Sequence, residues 1–201
     1  MTEDEFLVSN DQYLNAGIHV GSKFKTDDMS SFIYKTRPDG LSVLDVEQID
    51  ERIRLTANLL ANYEPEDVLI ACRRESGRKA VKQFADITGA QFYEGRYPPG
   101  VLTNPELDDF VEAKVLVVID PVPDKNAIKD AKIVGIPIVG LCDTNNDATN
   151  LDLVLPCNNK GRKSLGLVFY LLAKLYAEER DMIPSDEWDY EVDDFIPTIT
   201  I

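Results

Sequence analysis

Three short apolar runs rich in valine, isoleucine and leucine follow one another in the second half of the chain, separated by polar, turn-forming segments. They are Val115–Ile119, Ile136–Leu141 and Leu153–Leu155. Continuous rather than alternating hydrophobicity is typical of strands covered on both faces, as in a parallel sheet. Between the first two runs, Asp124 as N-cap and Gly135 as terminator predict a helix. The stretch therefore predicts a β-α-β unit.

Apolar patterns nearer the N-terminus and after this stretch predict further elements of the same kind. A buried strand is expected at Val68–Cys72, and a brief one begins at Gln91. Apolar positions at helical spacing predict helices after the N-cap Asp45, after Gly77 and over Ser164–Ala177. Two short strands around the turn sequence RPDG predict a small N-terminal hairpin. The order of elements predicts an α/β fold with a parallel sheet.

The chain of 201 residues, 44% of them hydrophobic, is long enough to form one α/β domain with its own core. We expect that domain over residues 10–180, between an acidic tail at 1–9 and another at 181–201. The net charge is −15, yet it is unevenly placed. The first 14 residues hold four acids and no base, and residues 178–201 hold nine acids and one base. The acidity therefore belongs mostly to the ends of the chain.

The C-terminal tail contains three aromatic residues, Trp188, Tyr190 and Phe195, among its acids. An excess of negative charge predicts disorder in the free protein and repulsion from RNA. Two interpretations of the aromatic residues follow. They are either anchors for a protein neighbour or side chains that pack back onto the body.

Cysteine usage and hydropathy indicate the compartment. Cys72, Cys142 and Cys157 each lie at the end of an apolar run, which predicts reduced, buried thiols. No apolar run approaches the roughly 18 residues that a membrane helix needs. The sequence MTEDEF at the N-terminus is acidic where a signal peptide is basic. We therefore expect a cytoplasmic protein without contact with membranes.

No combination of residues predicts catalysis or a cofactor. The segment Gly17–Lys23 (GIHVGSK) resembles a P-loop, but three residues separate its glycines instead of four, and Ser precedes Lys. His19 is the only histidine and has no nucleophile to pair with, which favours a structural or RNA-contacting role. Asp120 and Asp143 follow neighbouring strands and could hold Mg²⁺, as in a phosphate-binding enzyme or receiver. The alternative, which we favour, is that they cap the turns and helices that follow.

Basic residues are concentrated in loops, while acids fill the helices and tails. One basic group surrounds the turn before the second long helix, where free backbone N–H groups attract phosphate. Another precedes the last helix, so that in a parallel sheet both lie at its carboxyl edge. A third group lies near the N-terminus. Each group is either solvated surface charge or part of a polyanion site, and we predict the second. The predicted residues are Lys23, Lys25, Lys35, Arg37, Arg73, Arg74, Arg78, Lys79, Arg96, Lys160, Arg162 and Lys163.

Several segments, taken in order along the chain, resemble a single protein family. They are GIHVGSK, RPDGLSVLDVE, GRYPPGVLTNP, VVIDP, GIPIVGLCDTN and LVLPCNNKGRKSL. Together they are similar to the S-two family of small-subunit ribosomal proteins, most closely to its archaeal and eukaryotic form, which includes the laminin receptor precursor. The resemblance covers residues 10–180, roughly the whole predicted domain.

This resemblance implies a flavodoxin-like three-layer fold, in which a parallel sheet of about five strands lies between helices. It implies a structural role in the ribosome without catalysis. The implied partners are small-subunit rRNA, between the head and the body of the subunit, and neighbouring ribosomal proteins. The acidic tail resembles the variable C-terminus of the family, for which the resemblance implies no residue-level role.

Overall fold

The computed structural model describes residues 6–184 and 187–197. The alternation of strands and helices is the predicted one, and its elements are α1 (Asn10–Ala16), β1 (Ile33–Thr36), β2 (Ser42–Leu44), α2 (Val46–Ala61), β3 (Val68–Cys72), α3 (Arg78–Thr88), β4 (Gln91–Glu94), β5 (Val115–Val118), α4 (Lys125–Val134), β6 (Ile138–Cys142), β7 (Leu153–Pro156) and α5 (Arg162–Glu179).

Five parallel strands form the main sheet in the order β4-β3-β5-β6-β7. Val117 of β5 pairs with Ile70 of β3 on one side and with Val139 of β6 on the other. The chain therefore runs from β3 outward to β4, crosses back to β5 on the other side of β3, and continues outward through β6 to β7. β1 and β2 form a separate antiparallel hairpin. These observations confirm the predicted parallel sheet and the small hairpin.

Each face of the sheet has its own core because strand side chains alternate between faces. Ile70 and Cys72 point into the larger core, which contains α2, α3 and α5. Leu69 and Ala71 point into the smaller core, which contains α4 and the loop around Tyr97. The result is the three-layer arrangement that was predicted. Within the described ranges, no helix is long and apolar enough to cross a membrane.

The three cysteines are free and buried, as predicted. Burial raises the pKa of the Cys72 thiol to about 12, with the nearby Asp124 carboxylate adding to the effect. Burial also raises the pKa of Cys142 and Cys157. Thiols in this state have little thiolate character and behave as small apolar side chains.

Residues 187–197 pack onto the body, so the expected disorder of residues 178–201 is wrong for the described part of this segment. Phe195 is 0% exposed, and its ring centroid lies 5.8 Å from that of Tyr170 on α5. Ile196 occupies the space beside Gly166, where a Cβ atom would lie 2.6 Å from Ile196 Cγ1. Of the two interpretations of the aromatic residues, packing onto the body is the one that the structure supports.

Candidate nucleic-acid interface

The strands of the main sheet end at a common carboxyl edge, and eight of the twelve predicted site residues lie in the loops or the first helical turns that follow them. The loop after β3 contains Arg73 and Arg74, and the loop after β7 contains Lys160. Asp120 and Asp143 follow β5 and β6. Acids and bases from separate parts of the sequence therefore meet at this edge, as expected for parallel strands.

Asp120 is 1% exposed and is fully engaged by neighbouring donors. Arg74 Nε donates to its Oδ2 at 2.6 Å, and Arg74 Nη2 contacts the same oxygen. The other oxygen accepts from Asn146 Nδ2 at 3.0 Å and from the backbone N–H of Val122 at 3.0 Å. The last contact confirms that Asp120 caps the turn that follows its strand. Its principal partner, however, is Arg74.

Asp143 is engaged in the same way on the next strand. Lys160 Nζ lies 2.5 Å from its Oδ2 and also donates to Asn145 Oδ1 at 2.8 Å. Oδ1 of Asp143 accepts from the N–H of Thr144 at 2.6 Å, which is a local turn contact. Each of the two carboxylates therefore has a cationic partner and at least one backbone N–H donor. In the part of the chain that the structure describes, no three or more His, Cys, Asp or Glu side chains are grouped so as to hold a metal ion.

Asn146 links the loops after β5, β6 and β7. Its amide nitrogen donates to Asp120, while its Oδ1 accepts from the backbone N–H of Asp143 at 2.8 Å and from Asn159 Nδ2 at 3.0 Å. Asn159 Nδ2 also donates to the carbonyl of Leu141 at 2.9 Å. Amide side chains suit this position because one group both donates and accepts. Sequence reasoning missed this role of Asn146.

Thr144 attaches the segment that contains GIHVGSK to the edge. Its hydroxyl accepts from the N–H of Ser22 at 2.8 Å and donates to the carbonyl of Phe24 at 3.0 Å. Gly21 allows this close approach, since a Cβ atom there would lie 2.5 Å from Thr144 Cγ2 and 2.8 Å from the carbonyl oxygen of Ser42. Gly21 therefore serves chain packing at this position, where a P-loop glycine would approach a phosphate.

Asp124 occupies the predicted N-cap position of α4, where its backbone carbonyl accepts from the N–H groups of Ala127 and Ile128. Its side chain makes no cap contact with α4. Instead, its two oxygens accept from the backbone N–H groups of Arg73 at 3.1 Å and of Asp120 at 3.3 Å. Burial raises the pKa of the Asp124 carboxyl to about 7, against the opposing effect of these hydrogen bonds. Asp124 thus fixes the start of the basic loop after β3.

The twelve predicted basic residues divide into two groups by their contacts. In the first group, Arg74 and Lys160 pair with the buried carboxylates, and Lys79 Nζ donates to the carbonyl of Ile196 at 2.7 Å. Arg37 and Arg78 pair with exposed acids of their own neighbourhoods, Asp39 at 3.3 Å and Glu94 at 3.4 Å. The second group consists of exposed residues without an ion pair among the described residues, namely Lys23, Lys25, Lys35, Arg73, Arg96, Arg162 and Lys163.

Most members of the second group lie at or next to the carboxyl edge. Arg73 follows β3, Arg96 follows β4, and Arg162 and Lys163 form the first turn of α5. Lys23 and Lys25 lie on the segment that Thr144 holds. Lys35 lies on the hairpin, with its Nζ 5.5 Å from the ring centroid of Tyr34. The edge therefore presents positive side chains outward, while Asp120 and Asp143 beside them are buried and paired with Arg74 and Lys160.

His19 stands apart from this pattern. It is half-buried, and burial lowers the pKa of its imidazole, while a hydrogen bond with the backbone of Tyr13 acts in the opposite direction. A partly buried imidazole with a lowered pKa is compatible with the structural or RNA-contacting role expected for it.

This geometry defines a class of protein, a three-layer α/β domain in which internal ion pairs connect the loops at one edge of the sheet. The family model described as ribosomal protein S2 matches residues 13–109 and 110–179. Small ribosomal subunit protein uS2 of Methanococcus maripaludis strain C6 is 46% identical over 196 residues, covering 98% of this chain and 88% of the relative. The protein of the same name from Haloquadratum walsbyi is 46% identical over 193 residues, covering 94% of this chain and 69% of the relative. The chain belongs to the ribosomal protein S2 family, whose members are structural components of the ribosome and not enzymes.

Replacing Asp124 by Asn should change how the stability of the protein depends on pH. With its pKa raised to about 7, the folded carboxyl retains a proton that the unfolded chain loses near pH 4. The folded state therefore binds more protons between about pH 4 and 7, so its free energy of unfolding falls as the pH rises through that window. Asp124→Asn lacks this contribution. Urea unfolding at several pH values should show the variant gaining stability relative to the wild type up to about pH 7, with no further change above it.

Asp86→Asn provides the control, because Asp86 is exposed on α3. Its stability relative to the wild type should stay nearly constant over the same range. A difference between Asp124→Asn and the wild type that does not vary with pH would contradict the account of Asp124.

Proposed function

We propose that this protein is a structural constituent of the small ribosomal subunit in the cytoplasm, where it binds rRNA and neighbouring ribosomal proteins. The observation that carries the proposal is the separation of charge at the carboxyl edge. Its buried acids are paired inside the protein, and seven basic residues remain exposed without an ion pair among the described residues. A protein with a net charge of −15 can bind a polyanion only where its positive charges are locally dominant.

The first turn of α5 supports a phosphate contact. Gly161 occupies the N-cap position without a side-chain cap, and Arg162 and Lys163 follow it directly. The free N–H groups and the helix dipole favour an anion there, and α5 is 18 residues long. We assign Arg162 and Lys163, together with Arg73 and Arg96, to contacts with rRNA phosphates.

Two exposed aromatic residues beside lysines support contacts with unpaired bases. Phe24 is 79% exposed between Lys23 and Lys25, and Tyr34 is 68% exposed beside Lys35. Bases stack on aromatic rings while neighbouring lysines attract the phosphates. This combination accounts for aromatic side chains that remain in water in the isolated protein.

Arg74 and Lys160 have a different role in this proposal. Each is held by a carboxylate that is almost fully buried, so moving either one to a phosphate would leave an unpaired charge inside the protein. We assign them to positioning the loops that carry Arg73 and Arg162. Lys79 is likewise committed, since it holds the C-terminal segment through Ile196.

Sedimentation of a cell lysate tests membership of the subunit most simply. The protein should migrate with small ribosomal subunits through a sucrose gradient. It should leave that fraction when the subunits are dissociated into rRNA and free proteins. Migration only as a free, low-mass species would contradict the proposal.

Replacing Arg73 by Ala should weaken rRNA binding and flatten its salt dependence. Each phosphate contact contributes a slope of about −0.9 to the plot of log affinity against log salt, by analogy with duplex DNA, so the slope should become shallower by about one. The fold should survive, because removal of an exposed charge seldom costs more than about 0.5 kcal/mol. Filter binding at a series of salt concentrations measures the slope.

Glu75→Ala is the matched control, since Glu75 is exposed two residues away. It should leave the affinity unchanged or raise it slightly. An Arg73→Ala variant whose slope equals that of the wild type would show that this loop does not contact phosphate.

A further inference from the structure

A second basic surface lies in the outer layer, on the opposite face of the sheet from α2, α3 and α5. It is a groove between α4 and the loop of residues 147–152. Two cavities of about 520 and 470 Å³ form the groove, and they share Lys132, Asn150 and Leu151. The continuity of the two cavities gives the groove an elongated shape, which suits an extended chain segment.

The floor of the groove is aliphatic. Val122 and Ile133 line the first cavity and are 63% and 66% exposed, unusually high values for such side chains in a folded domain. Ile128 and Leu151 complete the apolar lining. An apolar partner that covers these aliphatic side chains removes them from water, which favours binding. The lining contains no aromatic ring, which a nucleobase would need for stacking.

Lysines border this apolar floor. Lys125, Lys129 and Lys132 lie on α4 at the spacing of one helix face, and all three line the first cavity. Lys132 Nζ donates to the neutral Asn150 at 2.6 Å. Within the described ranges, neither Lys125 nor Lys129 takes part in an ion pair. The groove therefore combines apolar contact surface with positive charge.

Two acids also line the groove, and both are engaged locally. Asp147 accepts from the N–H of Thr149 at 2.8 Å. Asp152 accepts from the N–H of Ile138 at 2.8 Å. Neither neutralises a lysine of α4 in the described structure. With three lysines against two carboxylates, the lining of the groove carries a net charge of +1, and within the described ranges none of the three lysines takes part in an ion pair.

We infer that this groove docks an acidic segment of a neighbouring protein, with an aliphatic side chain between Val122 and Ile133 and carboxylates on the lysines of α4. Complementary charge selects an acidic segment, and the aliphatic floor selects protein over RNA. The inference deepens the proposed function by naming a surface for its protein neighbours, and it rests on that function for the presence of such neighbours.

The test uses the isolated full-length protein and a short fluorescent peptide in which Glu and Asp flank two Leu residues. Fluorescence anisotropy should show saturable binding that is lost when Gln and Asn replace the acids of the peptide. Lys129→Glu should weaken binding at least about tenfold, because charge reversal converts an attraction into a repulsion. Ile133→Ser should also weaken it, through loss of apolar contact.

Matched variants on other helices separate these effects from general changes in charge or hydropathy. Lys82→Glu on α3 and Leu55→Ser on α2 alter exposed residues of the same types and should leave peptide binding unchanged. Absence of saturable binding to the acidic peptide, or equal binding by Lys129→Glu and the wild type, would overturn the inference.

Titration of the same variants with rRNA distinguishes failure of this inference from failure of the proposed function. Lys129→Glu should retain wild-type rRNA affinity. Loss of rRNA affinity in this variant, with peptide binding intact, would reassign the lysines to RNA and overturn the inference alone. A wild-type protein that binds the peptide and not rRNA would instead contradict the proposed function and leave the groove as a protein site.

Discussion

The buried carboxylate of Asp120 is the constraint on which the edge of the sheet depends. An ionised group withdrawn from water is costly unless charged and hydrogen-bonding partners surround it. Arg74, Asn146 and the turn at Val122 supply those partners, and Asn146 in turn joins the loop after β6. Satisfying one carboxylate therefore fixes three loops relative to one another. Arg73, the exposed basic residue of the loop after β3, acquires a defined position as a result.

This arrangement explains how an acidic protein presents a basic surface. Asp120 and Asp143 at the edge are buried and paired with Arg74 and Lys160, and the described acidic C-terminal segment packs against α5, where Phe195 and Ile196 anchor it. Positive charge remains outside on loops and on the first turn of α5. On the other side of the sheet, the groove along α4 repeats the outward placement of lysines over an aliphatic floor. The two surfaces differ in chemistry, which separates the partners that we propose for them.

The sequence predicted the parallel sheet because local signals are sufficient for it. Continuous apolar runs identified β3, β5 and β6, and Asp45 as an N-cap identified the start of α2, where its Oδ1 accepts from the N–H of Glu47. The ion pairs and hydrogen bonds between the loops of the edge could not be predicted, because the residues that form them are distant in sequence. Arg74 and Asp120 are 46 positions apart, and Thr144 and Phe24 are 120 apart. The acidic composition of the tail gave no indication that Phe195 is buried or that Ile196 fills the space that Gly166 leaves on α5.

A double-mutant cycle between Arg74 and Asp120 tests most directly whether this pair holds the edge together. The free energy of unfolding is measured for the wild type, Arg74→Met, Asp120→Asn and the double variant. The account predicts a coupling energy of about 2 kcal/mol, since the single change at Arg74 leaves a buried charge without its partner. It also predicts that Arg74→Met, once folded, keeps the wild-type salt dependence of rRNA binding. A coupling energy near zero, together with a flatter salt dependence for Arg74→Met, would contradict the account and make Arg74 an RNA contact.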